Sequence, residues 1–208
     1  ENNKELKLKD LINYNCQLYR EQNINFSSKN VQKDLSEFFH DRYKNFMKEK
    51  EIRNDIIESV TLNYNIDNIL KDYKKTLTLN KLISKETGKD LMFSYKRASN
   101  IIYNELKNSK IELSGSADPG LFKNEFEKIL YKKIHEIRKD FTHIGKDEDY
   151  EGLLKTLSLA RKEVNEFFDN VIVNDQDELI KKNRLELLQM LCKTFDNYLN
   201  FSKVESIQ

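Results

Sequence analysis

Residues 165–175 read NEFFDNVIVND. The centre of this stretch, Val171-Ile172-Val173, is β-branched and by itself favours a strand. Its surroundings do not. Upstream, Leu153, Leu157, Ala160, Val164, Phe167 and Phe168 recur at helical spacing behind Asp147-Glu148-Asp149, whose acids suit the start of one continuous helix. Downstream, Leu185, Leu188, Cys192, Phe195 and Leu199 mark a last helix, which Asp175 opens as cap with Glu178 three residues on. The stretch therefore reads as a connector: Asp169-Asn170 stops one helix, the valines and isoleucine bury their branched side chains across the gap, and Asp175 starts the next.

Composition points the same way. The 208 residues contain one Pro and 5 Gly, so helix breakers are scarce and the fold class expected is all-α, a helical bundle. A hydrophobic share of 38% is enough for a core, though not a generous one. With 36 basic and 35 acidic residues no global charge advertises a nucleic-acid or membrane partner, so any such site must be a local patch. Cys16 and Cys192 form no metal-ligand or disulfide pattern and read as reduced, half-buried thiols of a cytoplasmic protein. No apolar run approaches the ~20 residues that span a bilayer. The chain opens on Glu1 without a Met, which fits a piece of a longer polypeptide.

Further helices follow from periodicity. Val31, Leu35, Phe38, Phe39 and Phe46 line one face, Ile52, Ile56, Ile57 and Val60 a second, and Ile66, Ile69, Leu70, Tyr73 and Leu77 a third. Phe26-Ser27-Ser28 and Asn63-Tyr64-Asn65 are turn-like and offer caps. Gly88 interrupts the pattern, which places a boundary between a helical segment at 1–90 and a second domain at 91–208. A helix from about Asp90 to Lys107 buries Met92, Tyr95, Ile102 and Leu106. Ser114 to Gly120 reads as a flexible linker, with Asp118 as cap and Pro119 as first residue of a helix through Phe122, Phe126, Ile129, Leu130 and Ile134.

Catalytic patterns are absent from the sequence. Adjacent His40 and Asp41 suit a metal-dependent phosphohydrolase dyad, but His135 and His143 bring no acids at ligand spacing, and a solvated helix-face pair explains them as well. The 114–120 loop lacks the Lys-Ser/Thr of a phosphate-binding loop, and no Gly-x-Ser-x-Gly elbow occurs. One helix face is more informative. Lys96, Asn100, Tyr103 and Lys107 recur every three or four residues opposite the apolar stripe, with Arg97 and Asn104 beside them. Cations neutralise phosphates, Tyr and Arg planes stack unpaired bases, and amides read base edges, so this face suits single-stranded RNA as well as plain solvation.

Residues 92–208 resemble the C-terminal anticodon-binding domain of bacterial glycyl-tRNA synthetase beta subunits, the helical type shared with the class I arginyl-tRNA synthetases. The resemblance runs in order through SYKRASNII, DPGLFKNEFEKILY, VNEFFDNVIVNDQDELIKKNRLELLQML and the final FSKVES. Upstream, LSEFFHDRYKNFMKEKEIRNDIIESV is similar to the helical segment that precedes that domain. The sequence departs from the family pattern at Glu163, where Pro is usual, and at Asn165 and Asn174, where Asp and an apolar or small residue are expected. FFDNVIV and NRLELL are untouched.

The resemblance implies the beta subunit of a heterotetramer of two alpha and two beta chains, an aminoacyl-tRNA synthetase whose alpha chains hold glycine, ATP and Mg. The part seen here would then be non-catalytic and cofactor-free, and would grip the anticodon arm of glycine tRNA. Residues 91–208 hold 19 basic and 20 acidic side chains, so attraction to phosphate must come from clustering. The tRNA-binding candidates are Lys96, Arg97, Asn100 and Lys107 on the opening helix, and Lys181, Lys182 and Arg184 at the start of the last one. For Arg184 an ion pair with Asp169 or Asp175 that holds the connector is an equal expectation, while Tyr95, Phe167 and Phe168 belong to the core and Lys132 and Lys133 to solvent. The rival reading is a helical scaffold that docks the alpha subunit or the rest of the beta chain without touching RNA.

Overall fold

A computed structural model describes residues 7–62, 64–109, 111–144, 149–197 and 199–205, the side chains of 142–144 excepted. Asn63, Asp147, Glu148 and the His143 side chain, which figure in the expectations above, lie outside the described residues. Among the described residues there are nine α-helices, three short 3-10 turns and no strand, so the fold is all-α. The chain forms two compact units, Glu1–Thr76 and Leu77–Gln208.

The first unit contains α1 (Leu8–Glu21), α2 (Ser28–Glu49), α3 (Asn54–Thr61) and the beginning of α4 (Ile69–Ile83). Ser27 caps α2 by accepting the Asn30 N–H at 3.4 Å. Asn23 and Glu51, with φ near 60°, close α1 and α2, and the following residues Ile24 and Ile52 donate back to Tyr19 and Met47 across the last helical turn. The buried stripe of α2 runs through Tyr43 and Met47, not through Phe38 and Phe46, which stand half exposed. Those two rings lie instead under the cations of Arg42, at 5.2 Å, and Lys50, at 4.9 Å. Leu70 and Leu77 are likewise exposed, because the inward face of α4 carries Asp72, Thr76, Leu79 and Ile83. A hydroxyl and a carboxylate occupy positions that hydrophobic periodicity overlooks, and Thr76 is held there by a 2.7 Å hydrogen bond with the Tyr43 hydroxyl.

The second unit is built around α9 (Glu178–Asp196), which buries residues on every side and packs against α5 (Glu86–Asn108) and α6 (Glu125–Ile144). α7 (Tyr150–Ser158) and α8 (Arg161–Asn170) complete the bundle by packing on α5 and α6. Tyr95, Phe195 and Phe201 form an aromatic cluster with ring centroids 5.7 to 5.9 Å apart, and the Tyr95 hydroxyl donates to Asp196 at 2.9 Å. Leu106, expected inside, is 41% exposed, while Ala98, not among the expected core residues, is buried in the stripe of α5.

Several helix ends differ from the sequence expectation. α5 begins at Glu86, so Gly88 lies inside its first turn. Glycine is required there by close approach: a Cβ would collide with the Leu82 carbonyl at the end of α4. Pro119 opens a 3-10 turn over Pro119–Leu121, with Asp118 accepting the Gly120 N–H at 2.8 Å, and α6 starts only at Glu125. The helix expected through Leu153 and Phe168 is two, α7 and α8, where the Leu159 and Ala160 N–H groups tighten onto Thr156 and Leu157. Asp149, expected only as one of the acids at a helix start, is the cap of α7 and accepts the Gly152 N–H at 2.9 Å. Asp177, not Asp175, caps α9: its carboxylate accepts the N–H groups of Leu179 and Ile180.

The loop at 114–118 is tied down rather than flexible. The Glu186 carboxylate, buried on α9, accepts the N–H groups of Ser114, Gly115 and Ser116 at 2.7, 2.5 and 3.1 Å. Asn183 takes the Asp118 N–H and donates to its carbonyl at 2.7 and 3.0 Å. The polar residues of α9 thus serve as anchors for the loops around it.

Candidate nucleic-acid interface

α5 and α8 run side by side in one direction. Asp90 meets Arg161 at 2.7 Å, Ser94 meets Asn165 at 2.9 Å, and the Arg97 guanidinium lies 4.3 Å from the Phe168 ring centroid. The offset is 71 residues in every pair, so the two helices keep a fixed register along the seam.

Past Phe168 the chain leaves α8 in extended backbone, with Val171 at φ −122° and ψ 120°. It then crosses in front of the second half of α5. Val171 and Val173 turn inward at 7% and 9% exposure, but Ile172 stands 78% exposed, so the connector buries two of its three branched side chains. The result is a groove of about 440 Å³ between α5 and the connector. Arg97, Ile101 and Asn104 of α5 line it together with Phe168 of α8, Ile172 of the connector and Lys181 of α9.

Arg184 holds this connector in place. Its guanidinium, only 8% exposed, donates to Glu127 at 2.8 Å, to Asp175 at 2.6 Å and to the Ile172 carbonyl at 2.8 Å. Of the two expectations for Arg184, the structure shows the ion pair with Asp175, and the residue is too enclosed to present its charge to RNA. Asp175 is held below the usual carboxylate range by the Asp177 N–H and by Arg184. Glu127 is fully buried and also accepts the Lys123 and Asn124 N–H groups at the start of α6, so one carboxylate joins two helices.

The other candidates divide between two places. Arg97 and Lys181 reach the groove, with Lys181 paired to Glu105 at 2.8 Å, and that hydrogen bond raises the pKa of its ammonium. Lys96, Asn100 and Lys107 share the neighbouring stripe of α5 with Tyr103, which is 63% exposed. Lys182 is exposed outside the groove lining, and Lys133 pairs with Glu136 and Glu163. Sequence reasoning missed Ile172 as a surface residue and Phe168 as a groove wall, since apolar residues beside a helix end carry no outward signal.

Chemically, the groove combines a guanidinium over an aromatic ring, an amide, and an exposed aliphatic side chain. A planar heterocycle can stack on the free side of Arg97 while Asn104 meets its edge. Among the described residues no group of three or more His, Cys, Asp or Glu side chains is placed to hold a metal ion, and no helix is long and apolar enough to cross a membrane. His40 is stacked on Tyr64 at 4.4 Å, and burial followed by Lys44 lowers its pKa.

Comparison with known proteins bears on residues 91–208, which match the family model of the DALR anticodon binding domain. Glycine–tRNA ligase beta subunits of Rickettsia peacockii (strain Rustic) and Rickettsia conorii (strain ATCC VR-613 / Malish 7) are 34% identical over 205 residues, 98% of this chain. The corresponding subunit of Rickettsia canadensis (strain McKiel) is 35% identical over 205 residues. The chain spans 28 to 29% of the length of these relatives. With more than half of its residues matched by that model and helices throughout, the chain belongs to the DALR anticodon binding domain family.

Proposed function

We propose that this chain is the tRNA-reading part of a glycine–tRNA ligase beta subunit, with residues 91–208 gripping the anticodon arm of glycine tRNA and 1–90 forming the helical segment before it. The groove carries the reading: Arg97, over the Phe168 ring, with Asn104 beside it is an arrangement for an unstacked base. Lys96, Asn100 and Lys107, on the adjacent stripe, supply phosphate and sugar contacts, and Tyr103 offers a stacking face. Lys182 extends the positive edge. Glycylation itself, with ATP and Mg, is assigned to alpha chains of a complex with two alpha and two beta subunits in the cytoplasm, and this part contributes position and identity rather than chemistry.

The test is a titration of the 208-residue chain with a glycine tRNA and with the same tRNA carrying a changed anticodon. The native anticodon binds more tightly, and Arg97→Glu weakens binding by about tenfold, a loss of ~1.4 kcal/mol, while reducing its salt dependence. Equal and negligible binding of both RNAs would overturn the reading. It would favour docking to other parts of the ligase, for which α1 offers an exposed apolar stripe, Leu11, Tyr14 and Leu18.

A further inference from the structure

A second concavity lies at the other end of the α5–α8 seam. Here the end of α4 and the first turn of α5 face α7 and the first turn of α8 around a cleft of about 710 Å³. Its floor is apolar, made by Leu82 and Leu154, and Leu159 stands 60% exposed at its rim. Its charge is one-sided. Lys81, Lys85, Lys133, Lys155, Arg161 and Lys162 line it, against only two carboxylates, Glu151 and Glu163.

Both carboxylates are already engaged by cations of the cleft: Glu151 by Lys81 at 3.0 Å and Glu163 by Lys133 at 3.5 Å. Arg161 and Lys162 pair outward with Asp90 and Glu166. Lys85 and Lys155 are exposed and enter no ion pair among the described residues. This local excess occurs in a unit, Leu77–Gln208, that holds 22 basic and 22 acidic residues, so the cations are concentrated here and not spread evenly. Such a field in a concave wall attracts a polyanion, and the apolar floor accepts the carbon faces of sugars.

We infer that this cleft binds the sugar-phosphate backbone of the same RNA, away from the anticodon bases, with Lys85 and Lys155 as its phosphate contacts. The inference rests on the RNA-binding reading of the groove. α8 links the two sites: Arg161 and Lys162 at its first turn border the cleft, and Phe168 near its end walls the groove. At a rise of ~1.5 Å per residue the seven residues from Arg161 to Phe168 set the sites roughly 10 Å apart along that axis. One continuous RNA strand spans such a distance, so the groove reads a base while the cleft holds the backbone a few nucleotides away. The cleft therefore adds affinity without adding sequence preference.

The deciding experiment measures affinity against salt concentration for the 208-residue chain, using a glycine tRNA and its anticodon-changed counterpart. K85E/K155E is expected to weaken binding of both RNAs by the same factor, fivefold or more, and to lower the log–log salt slope by about two, because two phosphate contacts no longer release counterions. The ratio between the two RNAs stays as in the parent, and K85R/K155R retains parental affinity. An unchanged slope and affinity in K85E/K155E, with the parent still preferring the native anticodon and Arg97→Glu still weakening binding, would remove RNA from the cleft and leave the groove reading intact. Conversely, a parent chain that does not distinguish the anticodons, yet loses slope in K85E/K155E, would overturn the groove reading and keep the cleft.

Discussion

Arg184 and Glu127 are a buried ion pair, 57 residues apart in sequence, in which both Glu127 oxygens and the Nε and Nη1 of Arg184 are hydrogen-bonded. Such a pair contributes little net stability against an apolar replacement, but removal of one member strands the other. Arg184→Met is therefore expected to destabilise the chain by about 3 to 5 kcal/mol in urea unfolding. Arg184→Met with Glu127→Gln should recover part of that loss, since a neutral amide still accepts the Lys123 and Asn124 N–H groups. A cost for Arg184→Met no larger than that of an exposed substitution would refute the role given to the pair. Half of this arrangement was legible beforehand: Asp175 lies nine residues from Arg184, close enough to suggest a tie across the connector. Glu127 was not, because nothing in local spacing distinguishes a carboxylate in the first turn of α6 that faces inward from one that faces solvent.

At the level of elements, the existence of helices was plain from the period of the apolar residues, while their phase and ends were less so. In α2, Phe38 and Phe46 outrank Tyr43 and Met47 in hydrophobicity, yet the more polar pair sits inside, and the phenylalanines at the surface lie under cations. At the start of α9 two aspartates compete for one role. Asp177 takes the helix N–H groups and Asp175 takes Arg184, so Asp177→Ala should lower stability by about 1 kcal/mol through loss of the cap, measured by chemical denaturation. No loss in Asp177→Ala would return the cap to Asp175. The groove illustrates the same limit. Arg97 and Lys181 were both legible as candidates, but only the pairing of α5 with α8, and the connector crossing beyond it, brings them to one cavity.

Across the whole molecule, the two compact units differ in how their interiors treat charge. In the second, buried charged groups are matched, as with Arg184 and Glu127; in the first, Asp72 is 6% exposed and its pKa rises to about 6, chiefly through burial, with Lys75 opposing. A carboxyl harder to ionise when folded binds a proton that the unfolded chain has already released between about pH 4 and 6. Stability therefore falls as pH rises through that window, by about 1 to 3 kcal/mol, and Asp72→Asn should flatten the decline between pH 4 and pH 7. A parent and variant with identical pH profiles in urea titrations would contradict this. The second unit also has the loop at 114–118, where composition promises slack and the structure supplies Glu186 and Asn183 as fasteners. α5 rests on α9 from one side of that loop and α6 rests on it from the other. α9 thus works as the keel to which both helices, and the loop between them, are separately fastened.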